Sequence, residues 1–127
     1  MSSVFCRLPA VLIVAVLAVL LGAGTTSAQE IKGPIKIIVP YPAGGGSDVA
    51  ARLIADKMKD SLGQTVIVEN KPGAGGRIGT EYAKGLPANG SAMLVVNPAL
   101  FIVNPLVFSK LPYHPDTDFE LVSLITL

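Results

Sequence analysis

The stretch Ile35-Lys36-Ile37-Ile38-Val39-Pro40-Tyr41-Pro42-Ala43-Gly44-Gly45-Gly46-Ser47-Asp48 decides the fold. A short β-branched run closed by Pro40 reads as a buried strand. Tyr41 to Gly46 reads as a turn, and Ser47 or Asp48 then offers a helix N-cap. Val49, Leu53, Ile54, Met58 and Leu62 follow at helical spacing, with Ala50 and Ala51 between them. Arg52, Asp56, Lys59 and Asp60 cover the other face, and Arg52 and Asp56 form an i,i+4 pair. Gly63 stands where a helix-ending glycine belongs. The unit is strand, glycine-rich turn, helix.

The pattern recurs downstream. Thr65 to Glu69 predicts a second strand, and Asn70-Lys71-Pro72-Gly73-Ala74-Gly75-Gly76 a second glycine-rich loop. A short helix is expected over Arg77 to Lys84, a turn over Pro87 to Gly90, and a third strand over Ala92 to Val96. Leu100 to Phe108 is expected to be partly helical despite Pro105. Pro112 to Asp118 reads as loop and Phe119 to Leu127 as a fourth extended segment. Strands and helices that alternate in this way predict an α/β fold, with a parallel sheet flanked by helices. No internal repeat or low-complexity tract breaks the pattern after residue 28.

Upstream, Arg7 precedes an apolar run from Val11 to Leu21, and the segment ends Thr26-Ser27-Ala28. A charged start, a short apolar core and small residues at the end predict a secretory signal peptide over residues 1–28, cleaved after Ala28. A spanning helix wants about 20 apolar residues, more than this run supplies. Arg7 is the one charged residue in that segment, so the remainder of a chain with 10 basic and 9 acidic residues is formally neutral. Neutrality argues against a nucleic-acid partner, which calls for a basic patch. The single cysteine, Cys6, lies ahead of the apolar run, so the mature segment has no disulfide, no thiol nucleophile and no lipidated cysteine.

In an open parallel sheet, ligands bind beyond the carboxyl ends of the strands. Three loops leave those ends: Tyr41 to Asp48, Asn70 to Arg77, and Asn97 to Phe101. In the first, Gly44, Gly45 and Gly46 uncover backbone N–H groups, and the following helix adds unpaired N–H groups and the positive end of its dipole. Such a place seats an anion without a formal positive charge. Ser47 offers a hydroxyl and Tyr41 a wall and a phenol, while Asp48 reads as the helix cap. A glycine cluster alone is a weak motif, and a tight turn without a ligand stands beside this reading. The second loop repeats the logic with Gly75 and Gly76. Arg77 there reads more readily as solvent-facing than as a carboxylate partner, and Lys71 as exposed.

Other chemistries do not assemble. The phosphate-loop pattern G-x-x-x-x-G-K-[ST], the dinucleotide pattern G-x-G-x-x-G and the G-x-S-x-G elbow are missing from these loops. His114, the only histidine, lies in a proline-bounded loop beside Asp116 and Asp118, a poor metal site. No catalytic residue, cofactor or metal is therefore expected.

Three longer matches add a resemblance. Pro34 to Arg52 resembles the first motif of the tripartite tricarboxylate transporter substrate-binding proteins, the Bug family. Gly63 to Gly76 is similar to its second motif. Asn104-Pro105, Lys110-Leu111-Pro112-Tyr113 and Asp118-Phe119 resemble its third, with the spacing kept. The resemblance implies the first lobe of a two-domain, hinge-closing periplasmic binding protein of type II-like fold, incomplete in this chain. Residues 29–118 form that lobe, and residues 119–127 start the crossover to a second. It implies a carboxylate-containing metabolite as ligand, membrane permease subunits as partners, and no nucleic acid. The protein is expected to be a monomer in the periplasm.

Ligand contact is expected from Tyr41, Pro42, Ala43, Gly44, Gly45, Gly46, Ser47 and Asp48, with Gly75, Gly76, Asn97 and Ala99 bordering the cleft. The resemblance implies contact largely through backbone groups and water. Two departures stand out. Asn89-Gly90-Ser91-Ala92 replaces the family's Asp-Gly-Tyr-Thr, and Asn97-Pro98-Ala99-Leu100 lacks its small hydroxyl residues. The alternatives are an exported enzyme or sensor subunit on the same fold, and a truncated product without function.

Overall fold

The computed structural model describes residue 31 and residues 33–125. The expected signal peptide and its cleavage point lie outside the described residues. Three strands, β1 (Ile35–Val39), β2 (Val66–Asn70) and β3 (Ala92–Leu94), form a parallel sheet in the order β2-β1-β3. Two helices connect them, α1 (Gly46–Leu62) and α2 (Arg77–Lys84). The alternating α/β reading of the sequence is borne out.

β1 runs down the middle, with Ile35 opposite Val66 and Lys36 opposite Ala92. Its position explains its composition, because a central parallel strand is covered on both faces. Ile35, Ile37, Ile38 and Val39 are all buried. Ile37 and Val39 point to the α1 face, where they pack with Ala51 and Ala55. The alanines let the helix axis lie close to the sheet. The chain steps from β1 to β2 on one side and then crosses β1 to reach β3 on the other. Right-handed crossovers therefore set α1 and α2 on opposite faces.

The ends of α1 differ from the sequence reading in one respect. Gly63 terminates it as expected, in a left-handed conformation with its N–H donating to the Lys59 carbonyl. The N-cap, however, is Gly45, not Ser47 or Asp48. Asp48 sits in the first turn and reaches back to accept from the Gly44 N–H, close to the far half of a capping box. β2 spans one residue later than expected. β3 is shorter, although the Val95 N–H still donates to the Ile38 carbonyl.

Past β3, a wide helical turn (Ala99–Val103) leads into α3 (Asn104–Val107), where Pro105 sits in the first turn and so needs no N–H. Pro112 to Asp118 is not wholly loop. Pro115–Asp118 forms one helical turn, α4, because Pro115 presets its start and the Asp118 carboxylate accepts from the His114 N–H at 2.6 Å. Lys84 anchors this turn to α2 through Asp118 at 2.9 Å. The same ion pair and the His114 N–H hold the Asp118 carboxyl below its ordinary range. Where an extended segment is expected, Phe119 is extended (φ −137°, ψ 145°) and residues 119–125 pair with no strand. Leu121, Val122 and Leu124 are each more than 80% exposed.

The third resembling motif has a physical account. Tyr113, buried, donates its hydroxyl to the Leu100 carbonyl at 2.7 Å and accepts from Asn104 at 3.2 Å. Phe119 and Phe101 stack beside it, their centroids 5.1 Å apart. Asn104, Tyr113 and Phe119 are thus one knot that holds the segment after β3 around Leu100.

α2 approaches the sheet through Gly79. A Cβ there would lie 2.6 Å from the Lys71 carbonyl and 2.7 Å from Pro40. Gly79→Ala is expected to lower stability by about 1–3 kcal/mol, the usual cost of overpacking. Gly85→Ala, at a negative φ with ordinary space around its Cβ, is expected to be neutral or stabilising by up to about 1 kcal/mol. Urea unfolding of the two variants against the parent checks the contrast.

Candidate functional site

The three loops at the carboxyl ends of the strands do come together. β1 leads to β2 on one side and is flanked by β3 on the other, so the gap between β1 and β3 is the topological switch point. Tyr41 spans it. Its phenol oxygen accepts from the Asn97 N–H at 3.4 Å. Its ring lies against Gly76, where a Cβ would stand 3.3 Å from Cε1 and 2.8 Å from Leu100 Cδ1. Gly76 also has a φ of +94°, so close approach and backbone conformation both demand glycine there. One half-buried tyrosine therefore touches all three loops. Burial raises the pKa of its phenol above 10.0, keeping it a neutral donor and acceptor.

Around Tyr41, the exposed backbone from Pro42 to Gly46 and the partly covered Ser47 form the mouth of the first loop. The amides of Gly45, Gly46 and Ser47 have no protein acceptor among the described residues. They open the first turn of a 17-residue helix, so its dipole and its free donors point the same way. In the second loop Gly75 is exposed, and Gly73, Ala74, Gly75 and Gly76 are all at positive φ. In the third, Asn97, Pro98 and Ala99 are exposed. Pro98 and Ala99 have no polar side chain, leaving backbone groups and the Asn97 amide to meet a partner.

Asp48 has a supporting place rather than a place in the mouth. It is 2% exposed. One carboxylate oxygen accepts from the Gly44 N–H at 2.8 Å and Arg52 Nε at 3.0 Å, and the other from Asn70 Nδ2 at 2.9 Å. The Arg52 guanidinium, then the Gly44 and Asn70 donors, hold its pKa at about 2.

Asn70 is the residue that sequence reasoning passed over. It donates to the Tyr41 carbonyl at 3.2 Å as well as to Asp48, and accepts from Arg52 at 3.2 Å. Its position at the end of a β-branched run, directly before a glycine-rich loop, was the available signal.

The two basic residues of the second loop have other partners. Arg77 lies over the Phe108 ring at 4.0 Å. Lys71 pairs with Glu69 at 2.8 Å and covers the Tyr82 ring, which corrects the expectation of a merely exposed lysine. That ion pair lowers the Glu69 pKa and raises that of Lys71. Among the described residues no group of three or more histidine, cysteine, aspartate or glutamate side chains could hold a metal.

The folded-state pKa of Asp48 lies below its ordinary 3.8, so its contribution to stability is complete above about pH 4 and is lost as pH falls towards about 2. The stability gap between the parent and Asp48→Asn is therefore expected to be widest near neutrality and to narrow over that window. Thermal unfolding of both proteins at stepped pH measures it, and a gap that stays constant contradicts the pairing.

Comparison with known proteins gives this arrangement a context. Residues 50–127 match the family described as the tripartite tricarboxylate transporter family receptor. The protein BugT of Bordetella pertussis is 41% identical over 72% of this chain and 28% of its own length. MatC from Rhodopseudomonas palustris, solved with bound malate, superposes with a TM-score of 0.66 at 32% identity, over 71% of this chain and 31% of MatC. Rpa4515 of R. palustris, solved with adipate, gives 0.63 at 31% identity, over 68% and 29%. The chain spans about a third of the length of the curated relatives it matches, and its three-stranded sheet is part of a periplasmic binding protein fold. With a family match over more than half its length, this chain belongs to the tripartite tricarboxylate transporter receptors, the Bug family.

Proposed function

We propose that this chain forms the first lobe of a periplasmic solute-binding protein that captures a carboxylate-containing small metabolite. Delivery is to the membrane permease of a tripartite tricarboxylate-type transporter. The observation that carries the reading is the row of amides at Gly45, Gly46 and Ser47 that have no acceptor among the described residues. They open the first turn of α1, on the loop that leaves β1 at the switch point. A carboxylate accepts from such donors without a cationic partner, so it is held firmly and still released. MatC binds malate and Rpa4515 adipate, which supports a dicarboxylate as the class.

In this reading Tyr41, Pro42, Ala43, Gly44, Gly45, Gly46 and Ser47 form the wall that meets the ligand. Gly75, Gly76, Asn97 and Ala99 border it, and Asp48 works from beneath. The proline and alanine of the third loop leave specificity there to backbone groups and water. The protein binds without chemistry. Its ligand class sets it apart from nucleic-acid binders, it acts as a monomer, and the segment through Ala28 directs export and is removed.

A single lobe grips its ligand on one side, so affinity is expected in the millimolar range. Titration of the ¹⁵N-glycine-labelled full chain with malate and with adipate to about 50 mM reads binding of that strength. Saturable movement of the Gly44, Gly45, Gly46 and Gly76 resonances, with Gly63 and Gly85 unmoved and malate diamide inert, is the expected result. No movement with any anionic metabolite, or the uniform drift produced by sodium chloride alone, overturns the reading.

A further inference from the structure

We propose that Asn70 is the positioning residue that sets the shape of the Tyr41–Asp48 loop, and through that shape its affinity for an anion. The affinity clause rests on the function proposed above; the shape clause does not.

Asn70 closes β2 opposite Val39. Val66 and Val68, four and two residues earlier, pack on the core beneath α1. Strand alternation therefore turns the Asn70 side chain to that same face. There it meets both ends of the first loop. Nδ2 donates to the Tyr41 carbonyl, where the loop begins, and to the Asp48 carboxylate, where it ends. Its oxygen accepts from Arg52, one helical turn further along α1. Asp48, oriented by Asn70 and Arg52, accepts in turn from Gly44 in the middle of the loop.

The chain of bonds has a defined effect. With its N–H directed to Asp48, Gly44 adopts a φ of +84°, and the following amides of Gly45, Gly46 and Ser47 are left without an acceptor among the described residues. A primary amide is the side chain that supplies two N–H donors and a carbonyl acceptor in one plane at this reach. Aspartate lacks the donors when ionised, and leucine lacks every polar atom. The facing charged groups are Asp48 and Arg52 from α1. Glu69, Lys71 and Lys36 pair among themselves around the opposite face of β2.

Asn70→Asp separates positioning from mere structural support. Protonated, the new carboxyl imitates part of the amide by donating to Asp48 and accepting from Arg52. Ionised, it faces the Asp48 carboxylate, which already engages the Arg52 guanidinium, so two carboxylates share one cation and the second to ionise has its pKa raised above the ordinary carboxylate range of about 4.

The test is the ligand-free ¹⁵N-glycine spectrum of the full chain between about pH 5 and about pH 8, read for parent and variant. The parent is expected to hold its Gly44, Gly45 and Gly46 positions throughout. Asn70→Asp should match it at the acid end and depart from it at the alkaline end. Gly63 and Gly85 should stay in place, and malate should bind about tenfold more weakly or worse at the alkaline end. A flat profile at parental positions, or movement of all glycines together, overturns the proposal.

Should Asn70→Asp not fold, Asn70→Ser removes the paired bonds to Tyr41 and Asp48 and leaves the Arg52–Asp48 pair in place. Gly44 moving alone supports the proposal, and Gly44 staying still overturns it. These ligand-free readings stand whether or not an anion binds the parent, so a failure of the proposed function is distinguishable.

Discussion

Everything at the open end of the sheet depends on how the buried carboxylate of Asp48 is satisfied. A carboxylate removed from water must be met by donors. Here they come from three separate pieces of chain: the Gly44 amide, the Arg52 guanidinium and the Asn70 amide. Asp48 thereby ties the glycine turn, the first helix and the end of β2 into one body. Its charge also lies in the first turn of α1, where the helix dipole favours it. The same dipole that steadies Asp48 from inside leaves the outward amides electropositive, so stability and anion affinity draw on one arrangement.

Tyr41 extends this body to the third loop. Its ring needs the missing side chain of Gly76, and its oxygen needs the Asn97 N–H. The first of those demands adds to the +94° φ of Gly76 in requiring a glycine at that point of the second loop. The second explains how a third loop without hydroxyl side chains keeps its place. The aromatic knot of Tyr113, Phe101 and Phe119 supports that loop from behind, through Leu100.

The features legible in the sequence were those with a local cause. β1 and α1 follow from β-branched and helical periodicity, Gly63 from its role as terminator, and α2 over Arg77 to Lys84 from its place after the second glycine-rich loop. The loop cluster followed from topology, since parallel strands must release their loops on one edge. What escaped were long-range partners. Asn70 reads as ordinary turn punctuation until Tyr41 and Asp48 are folded against it. Lys71 reads as solvated until Glu69 and Tyr82 flank it. Asp48 was legible as a polar residue at a helix start, yet its burial depends on β2. Phe119 to Leu127 reads as extended, but a ladder needs a partner, and residues 119–125 pair with none.

Four consecutive amides divide the labour, Gly44 bonded to Asp48 and Gly45, Gly46 and Ser47 without an acceptor among the described residues. Hydrogen exchange of these amides, followed by NMR on the ligand-free chain, measures that division. Gly44 should exchange far more slowly than its three neighbours, which should exchange near the rate of an unprotected amide. Equal exchange at all four positions, fast or slow, would contradict it.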